Sequence, residues 1–302
     1  MLRNIYTSIA ASPMLRKAML TVPLTRTIAW RFVAGENLDA GLAAVRELNR
    51  RKIKATLNLI GTHVRDASKT RAASDAILEA LSLIRAEGLD SHLSVKLTQI
   101  GLDIDEQLCR RNLLRIVERA SALGIFVRID MEESAYTGTT IEVFNQMRRE
   151  FGEHAVGIVL QSYLRDGRPH LRRLAETGAR IRLVKGGYRE PAGVAYRVPA
   201  EIDAAFDSDI RLLMKHAVYP VIATHDDRFI ALAKSLGAAA GRTAREYEFQ
   251  MLRGVRENLQ DSLTREGYTM RCYVPYGTDW TSYVLGCARR LIRNQVRGTI
   301  HS

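Results

Sequence analysis

Two cationic residues lie at the end of an apolar segment near the middle of the chain. Residues 181–184 read Ile-Arg-Leu-Val, and Lys185 and the pair Gly186-Gly187 follow directly. This pattern predicts a buried strand that carries Arg182 and ends at Lys185. Buried cations are costly unless an anion compensates their charge, and a glycine pair lets backbone amides approach a ligand closely. Two interpretations stay open: the cations bind an anionic cofactor, or both pair with carboxylates inside a barrel.

Short apolar segments alternate with helix-like segments on both sides of this stretch. The apolar segments predict eight strands, at residues 54–60, 92–97, 126–129, 157–160, 181–184, 219–223, 245–249 and 270–274. Helices are predicted after them at residues 67–86, 104–123, 139–150, 169–177, 199–216, 227–236, 253–265 and 278–293. Eight successive strand–helix units favour an α/β fold, a closed TIM-type (βα)8 barrel. A doubly wound open sheet is the alternative, which the lack of a Gly-rich dinucleotide turn after the first strand disfavours.

The first 50 residues follow a different pattern. Apolar residues at helical spacing predict helices at residues 12–20, 24–32 and 38–49. We therefore expect a helical N-terminal extension over residues 1–50 and the barrel over residues 51–302.

Polar residues stand at the ends of the predicted strands. In a (βα)8 barrel the carboxyl ends of all strands open onto one mouth, where active sites lie. We therefore expect a single site lined by Asn58, Lys96, Thr98, Gln99, Asp130, Gln161, Lys185, Thr224, His225, Glu248, Gln250 and Tyr273. Its cations are Lys96, Arg182 and Lys185, and Asp130 is the balancing anion. Such a set suits a large polar cofactor and the stabilisation of negative charge during electron transfer.

Several classes of function are disfavoured. The cluster His225-Asp226-Asp227 is more typical of a helix N-cap than of a metal site, so we expect no metal. The net charge of +12 comes from arginines scattered over helix-like segments, which predicts a solvated surface rather than a nucleic-acid site. Three widely spaced cysteines, and no apolar run of membrane-spanning length or secretory signal pattern, predict a cytoplasmic protein. The positive charge leaves open peripheral contact with an anionic membrane.

Several sequence blocks, which follow one another in the same order as in the family, resemble the flavin-dependent proline dehydrogenases over nearly the whole chain. They are residues 31–36, 96–103, 128–137, 157–163, 181–191, 223–226, 247–252 and 273–277, followed by Asn294. The resemblance implies a distorted eight-stranded barrel that binds FAD without a Rossmann domain. It also implies hydride transfer from the carbon next to a secondary amine nitrogen to flavin N5, which leaves a cyclic imine. The small-molecule amine must be unprotonated, and the electron acceptor, a quinone or O2, stays open.

The resemblance also assigns residues to the cofactor and to the substrate. Those implied at the flavin and the rest of FAD are Asp130, Gln161, Arg182, Val184, Lys185, Gly187, Thr224, His225 and Gln250. Those implied in the substrate pocket are Lys96, Tyr188, Leu252, Tyr273 and Tyr283, with Asp130 beside them.

The last predicted helix departs from the family. The family has two adjacent arginines three and four residues after the tyrosine that matches Tyr283, and they hold the substrate carboxylate. Here these positions are Gly286 and Cys287, while Arg289 and Arg290 come three residues later. Either a shift of the helix returns Arg289 and Arg290 to the pocket, or carboxylate recognition is lost.

The first strand departs as well. The family has an aspartate there and, shortly after it, a glutamate that pairs with one of the arginines as a gate, whereas this chain has Asn58 and Thr62. Because both halves of the gate are replaced, we expect an altered substrate, such as a proline derivative with a masked carboxylate or another cyclic or secondary amine in a specialised pathway. The alternatives are an ordinary L-proline dehydrogenase that feeds electrons to quinone, and a non-catalytic flavin-binding or scaffold barrel.

Overall fold

Eight parallel strands close into a barrel in the computed structural model, which describes residues 29–293 and the side chains of residues 29–287. The strands are β1 (Lys54–Leu59), β2 (Ser91–Val95), β3 (Val127–Ile129), β4 (Val156–Gln161), β5 (Ile181–Val184), β6 (Val221–Ala223), β7 (Glu248–Leu252) and β8 (Thr269–Tyr276). Each strand pairs with its neighbour in sequence, and β8 pairs with β1, with Tyr273 opposite Thr56. The predicted (βα)8 barrel is confirmed, and the open sheet is excluded.

One helix precedes the first strand, and one helix follows each of the eight strands. They are α1 (Leu38–Arg50), α2 (Ala67–Ala86), α3 (Glu106–Ala122), α4 (Thr137–Phe151), α5 (Gly167–Glu176), α6 (Pro199–His216), α7 (Asp227–Ala239), α8 (Glu257–Arg265) and α9 (Trp280–Arg293). Several begin where the sequence supplies an N-cap: the Asp66 carboxylate accepts backbone N–H groups at the start of α2, and Asp105 does so for α3. Within residues 29–293, no helix has both the length and the apolarity needed to cross a membrane.

The helix predicted at 12–20 lies outside the described residues, as does most of the one at 24–32, of which residues 29–32 are described and helical. Helix α1 packs Leu42, Val45 and Leu48 into the same apolar core as the strands. The division of the chain at residue 50 stays a prediction.

The seventh strand lies later in the chain than predicted. It begins at Glu248 because the preceding residues form a turn, in which the Glu246 carboxylate accepts the backbone N–H of Thr243 at 2.6 Å. Glu248 therefore lies at the amino end of β7, and the prediction that it lines the mouth is wrong. Its Oε1 instead accepts Nε of Arg271 at 2.9 Å inside the barrel, where both side chains are buried.

The residues before α1 are fastened to the last helix and to the end of β7. Arg253 donates through one guanidinium nitrogen to the backbone carbonyls of Arg31 at 2.9 Å and Val33 at 3.3 Å. The Trp280 indole donates to the Glu36 carboxylate at 3.1 Å. An apolar cluster of Ala29, Val33, Trp280 and Val284 completes this contact. The first turns of α9 are thereby held beside the barrel mouth.

Candidate active site

Asp130 is the centre of a buried polar cluster at the barrel mouth. Its Oδ1 accepts hydrogen bonds from Ser94 Oγ at 2.8 Å and from the Arg182 guanidinium. Its Oδ2 accepts the Tyr273 hydroxyl at 2.8 Å and lies 3.5 Å from Lys96 Nζ. Because β2, β3, β5 and β8 supply these side chains, the cluster exists only in the closed barrel. We call Lys96, Asp130, Arg182 and Tyr273 the Asp130 centre.

The two cations fix the protonation state of the Asp130 centre. Burial alone raises the pKa of Asp130, but the charges of Arg182 and Lys96 outweigh it and hold that pKa below its ordinary value. Burial, together with the charge of Asp130, raises the pKa of Tyr273 well above its ordinary value. Asp130 is therefore a carboxylate and Tyr273 a neutral phenol that donates to it.

Arg182 links the Asp130 centre to β7. Its guanidinium lies 5.2 Å from the centroid of the Tyr273 ring and donates to Gln250 Oε1 at 3.4 Å. Both Arg182 and Gln250 are buried. Gln250 lies within β7 rather than at its end, and alternation along the strand still directs it into the barrel.

Lys185 takes its partners from outside the barrel. Its Nζ lies 2.6 Å from Asp203 Oδ1 on α6 and 3.7 Å from Asp226 Oδ2, and it lies 4.5 Å from the centroid of the Phe229 ring. Arg228 binds the same two carboxylates, at 2.8 and 2.6 Å. Both cations of the β5 segment thus pair with carboxylates, one inside the barrel and one on its outer layer.

The glycine pair after β5 packs closely against β4 and the residues after it. Gly186 has φ +107°, and a Cβ there would lie 2.1 Å from the buried Tyr163 ring, so only glycine fits. The next amide, of Gly187, donates to Gln161 Oε1 at 3.3 Å. Gln161 in turn donates to the Glu132 carbonyl at 2.8 Å. The close approach predicted for this pair is thus an approach to the protein's own aromatic ring and amide.

The end of β6 supplies a neutral histidine. Burial lowers the pKa of His225 to about 4, and the charge of Arg256 adds to the effect. His225 Nε2 accepts the Leu252 backbone N–H at 2.9 Å, which leaves the proton on Nδ1. The neighbouring Thr224 is buried, and its hydroxyl accepts the Asp226 backbone N–H at 3.2 Å.

The cluster that follows His225 has the predicted capping role. The Asp226 side chain accepts the Arg228 backbone N–H and caps α7. Among the described side chains, no group of three His, Cys, Asp or Glu residues could hold a metal ion.

The remaining positions that the resemblance implies for a substrate pocket lie around the mouth. Tyr188 is half-buried in the loop after β5, and Leu252 ends β7 opposite Tyr273. Tyr283, on α9, packs against the cluster that contains Trp280, and its charge contributes to the raised pKa of Tyr273. Val184 is half-buried at the end of β5.

The departures from the family pattern are at the same mouth. Asn58 is fully buried on β1, and its Oδ1 accepts Lys96 Nζ at 3.2 Å, so Lys96 meets a neutral amide here. Cys287 is buried on α9. Arg289 and Arg290 belong to α9, and their side chains lie outside the described residues.

Several residues of the site were not predicted from the sequence. Ser94, on β2, precedes Lys96 by two residues, so strand alternation places both side chains on the same face. This alternation could have indicated Ser94 as a hydrogen-bond donor to Asp130. Glu132 follows Asp130 by two residues, and its carboxylate accepts both the backbone N–H and the hydroxyl of Thr98. No local pattern indicates Asp203, because its partner Lys185 lies 18 residues earlier, at the end of a strand.

An exposed histidine ties the loop after β1 to two neighbouring mouth loops. His63 Nδ1 lies 2.8 Å from Asp103 Oδ2, and Nε2 lies 3.4 Å from Glu133 Oε1. Tyr136 donates to the other oxygen of Asp103 at 2.7 Å, and Arg65 lies 4.0 Å from Asp103. Burial lowers the pKa of His63, but the bond to Asp103 and the charge of Glu133 outweigh it and raise the pKa above its ordinary value.

The His63 contact predicts a pH-dependent loop. Its stabilisation is fully present below about pH 6.5, the unfolded pKa, and is lost as the pH rises through the higher folded pKa. We expect hydrogen exchange of residues 60–66, corrected for intrinsic rates, to be slow at a pH below about 6.5 and faster at a pH above the folded pKa. His63→Asn should exchange fast at both pH values, because asparagine tolerates the observed φ of +53° but carries no charge. The exposed His154→Asn is the control, and a wild-type pH dependence in His63→Asn would contradict the prediction.

The family model described as proline dehydrogenase matches residues 41–294. The chain belongs to the proline dehydrogenase family. It is 36% identical over 285 residues to proline dehydrogenase 1 of Bacillus subtilis (strain 168), and the alignment covers 94% of this chain and 93% of the relative. It is 37% identical over 282 residues to the proline dehydrogenase of Deinococcus radiodurans, and the alignment covers 89% of this chain and 91% of the relative. The predicted family is confirmed, and the chain is an oxidoreductase of the proline dehydrogenase type.

The fold agrees with solved structures of larger proteins. Proline utilization A (PutA) from Bdellovibrio bacteriovorus, inactivated by N-propargylglycine, superposes with a TM-score of 0.83 at 23% identity. The match covers 90% of this chain and 34% of that protein. At this identity the likeness shows the barrel fold alone.

Proposed function

We propose that this chain is an FAD-dependent dehydrogenase that takes a hydride from the carbon next to the nitrogen of a cyclic secondary amine and leaves an imine. One observation carries the proposal. Within the Asp130 centre two cations, the buried Arg182 and the half-buried Lys96, share one carboxylate, so the side chains of the centre carry a net positive charge. A buried positive charge is costly unless an anion or an electron-rich group approaches it.

The groups around the Asp130 centre fit a flavin. When bound, FAD supplies the two-electron acceptor for the hydride. Arg182 and Lys96 would face the negative charge that reduction adds, in a site where charges act strongly because it is buried. Gln161, Thr224 and the Nδ1–H of His225 would provide hydrogen bonds to the rest of FAD.

The same positive charge suits the substrate side. An ammonium ion is disfavoured next to an uncompensated cation, so the centre favours the unprotonated amine. The nitrogen lone pair of that form is what drives loss of the hydride. Tyr273, held by its bond to Asp130, would present a fixed ring face to the substrate.

We further propose that the substrate lacks a free carboxylate. At the positions of the family's arginine pair this chain has Gly286 and Cys287, so the charges that would bind a carboxylate are missing. At the two acidic positions of the family it has Asn58 and Thr62, so the partner of those charges is missing too. The specific rival is L-proline itself, which the names of the relatives at 36–37% identity favour for this chain. A quinone or O2 as acceptor, and contact with an anionic membrane, stay predictions from the sequence.

The flavin proposal is tested with purified protein incubated with FAD and freed of excess. We expect the visible spectrum of a bound flavin, and its loss on anaerobic addition of a cyclic secondary amine such as L-proline methyl ester. Lys96→Met should slow this bleaching about tenfold or more, since removing one preorganised electrostatic contact costs roughly that much or more. Lys234→Met, on the outer helix α7, is the matched control. Protein that takes up no FAD would support the scaffold alternative.

A further inference from the structure

Among the contacts that fasten the loop after β5 to the barrel, two lie on either side of Tyr188. The first is the Gly187 amide, which binds Gln161. The second is Glu190, three residues later. Its Oε1 accepts the Ser134 backbone N–H at 2.7 Å, and its Oε2 accepts the Ser134 hydroxyl at 2.8 Å. Tyr188 lies between the two places of attachment.

The partner of Glu190 is the start of a helix. A 3₁₀ turn, Ser134–Tyr136, runs directly into α4, and neither has a side-chain cap from its own N-cap residue. The first N–H groups of a helix lack partners within it and carry partial positive charge. Glu190, 56 residues away in sequence, brings a carboxylate to that position. Bonds to an ionised acceptor are shorter and stronger than neutral ones, and both distances here are short.

Both attachments lead back to the same loop, the one after β3. Gln161 donates to the carbonyl of Glu132, and Glu190 accepts from Ser134. Asp130 stands at the start of that loop. The distance between Asp130 and the Gly187–Tyr188 segment is therefore set by these contacts together with the strand pairing.

We propose that Glu190 is a positioning residue that caps the helix beginning at Ser134 and thereby holds Gly187 and Tyr188 in place beside the proposed flavin site. The part of this proposal that concerns the flavin rests on the proposed function, whereas the contact between Glu190 and Ser134 does not. A neighbouring residue offers a matched control, because Arg189 is exposed on the same loop.

The test measures the FAD dissociation constant of the protein reconstituted from its flavin-free form. We expect Glu190→Ala to weaken FAD binding about tenfold, which corresponds to about 1.4 kcal/mol. Ser134→Ala should have a smaller effect, since it keeps the backbone N–H, and Arg189→Ala should have none. In the double variant Glu190→Ala/Ser134→Ala the two effects should not add, because they report one contact. Circular dichroism of the bound flavin should change in Glu190→Ala and be restored in part by Glu190→Gln.

Hydrogen exchange of the flavin-free protein separates the fastening from the cofactor. Residues 186–190 should exchange faster in Glu190→Ala than in the wild type or Arg189→Ala. If the wild type takes up no FAD, the proposed function fails, while this faster exchange still supports the fastening. Equal exchange in Glu190→Ala and Arg189→Ala, or equal FAD affinity, would overturn the proposal. Should Glu190→Ala fail to fold, Glu190→Gln, which keeps the side-chain volume but removes the charge, should still show faster exchange of residues 186–190 than Arg189→Ala, and equal exchange in these two variants would overturn the proposal.

Discussion

Replacing Asp130 by alanine is expected to lower the free energy of unfolding by about 3–5 kcal/mol, because it leaves the buried Arg182 and the half-buried Lys96 without their shared anion. Arg182 and Lys96 both lie against this carboxylate, and Tyr273 donates to it. The loss exceeds that of an ordinary hydrogen bond, about 1 kcal/mol, since the uncompensated charges stay in the barrel. Urea unfolding followed by circular dichroism measures the change.

Two further variants show whether charge is the cause. Ser94→Ala removes one neutral hydrogen bond to Asp130 and should cost only about 1 kcal/mol. Asp130→Asn/Arg182→Met removes one cation together with the anion and should be more stable than Asp130→Asn alone. A stability of Asp130→Ala equal to that of Ser94→Ala would contradict the importance given to the Asp130 centre.

Much of the barrel is predictable because its segments are locally consistent. Apolar segments of strand length alternate with amphipathic helices, and aspartates such as Asp66 and Asp105 mark helix starts. The boundary of β7 was not predictable in this way. Residues 245–249 carry aromatic residues typical of a strand, but the bond from Thr243 to Glu246 turns the chain until Glu248. A shift of three residues then moved Glu248 from the mouth to the opposite end of the barrel.

The Asp130 centre was predictable for a different reason. Strand ends converge in a closed barrel whatever the details of the loops, so Lys96 and Asp130 were expected to meet once the strands were identified. Arg182 lies within β5, and alternation along that strand directs it into the same interior. Contacts between loops and outer helices lack such a rule. Lys185 binds Asp203 on α6, and Glu190 binds Ser134. Both contacts depend on the conformation of the loops, which sequence periodicity does not predict.

The change at the last helix predicts a reversal of substrate preference. We expect kcat/KM for L-proline methyl ester to exceed that for L-proline by at least about 30-fold. A lost arginine pair in a buried pocket costs a carboxylate about 2–5 kcal/mol, and 1.4 kcal/mol corresponds to a factor of ten. The ester loses nothing comparable because it brings no charge into the pocket. Anaerobic reduction of the flavin at several substrate concentrations gives both constants, and L-prolinamide and pyrrolidine separate charge from size.

Two variants of α9 decide between a lost and a relocated carboxylate contact. Arg290 follows Tyr283 by seven residues, two turns of helix, so its backbone position lies on the same side of α9, whereas that of Arg289 does not. If the contact is lost, Arg290→Ala and Arg289→Ala should change KM for L-proline equally little. A rise in KM for L-proline in Arg290→Ala alone, with the ester unaffected, would show that Arg290 has taken over the role and that L-proline is the substrate. Esterification also makes the amine nitrogen less basic, so the rates must be compared at equal concentrations of unprotonated amine. Only the difference in kcat/KM that remains after this correction reports on the pocket.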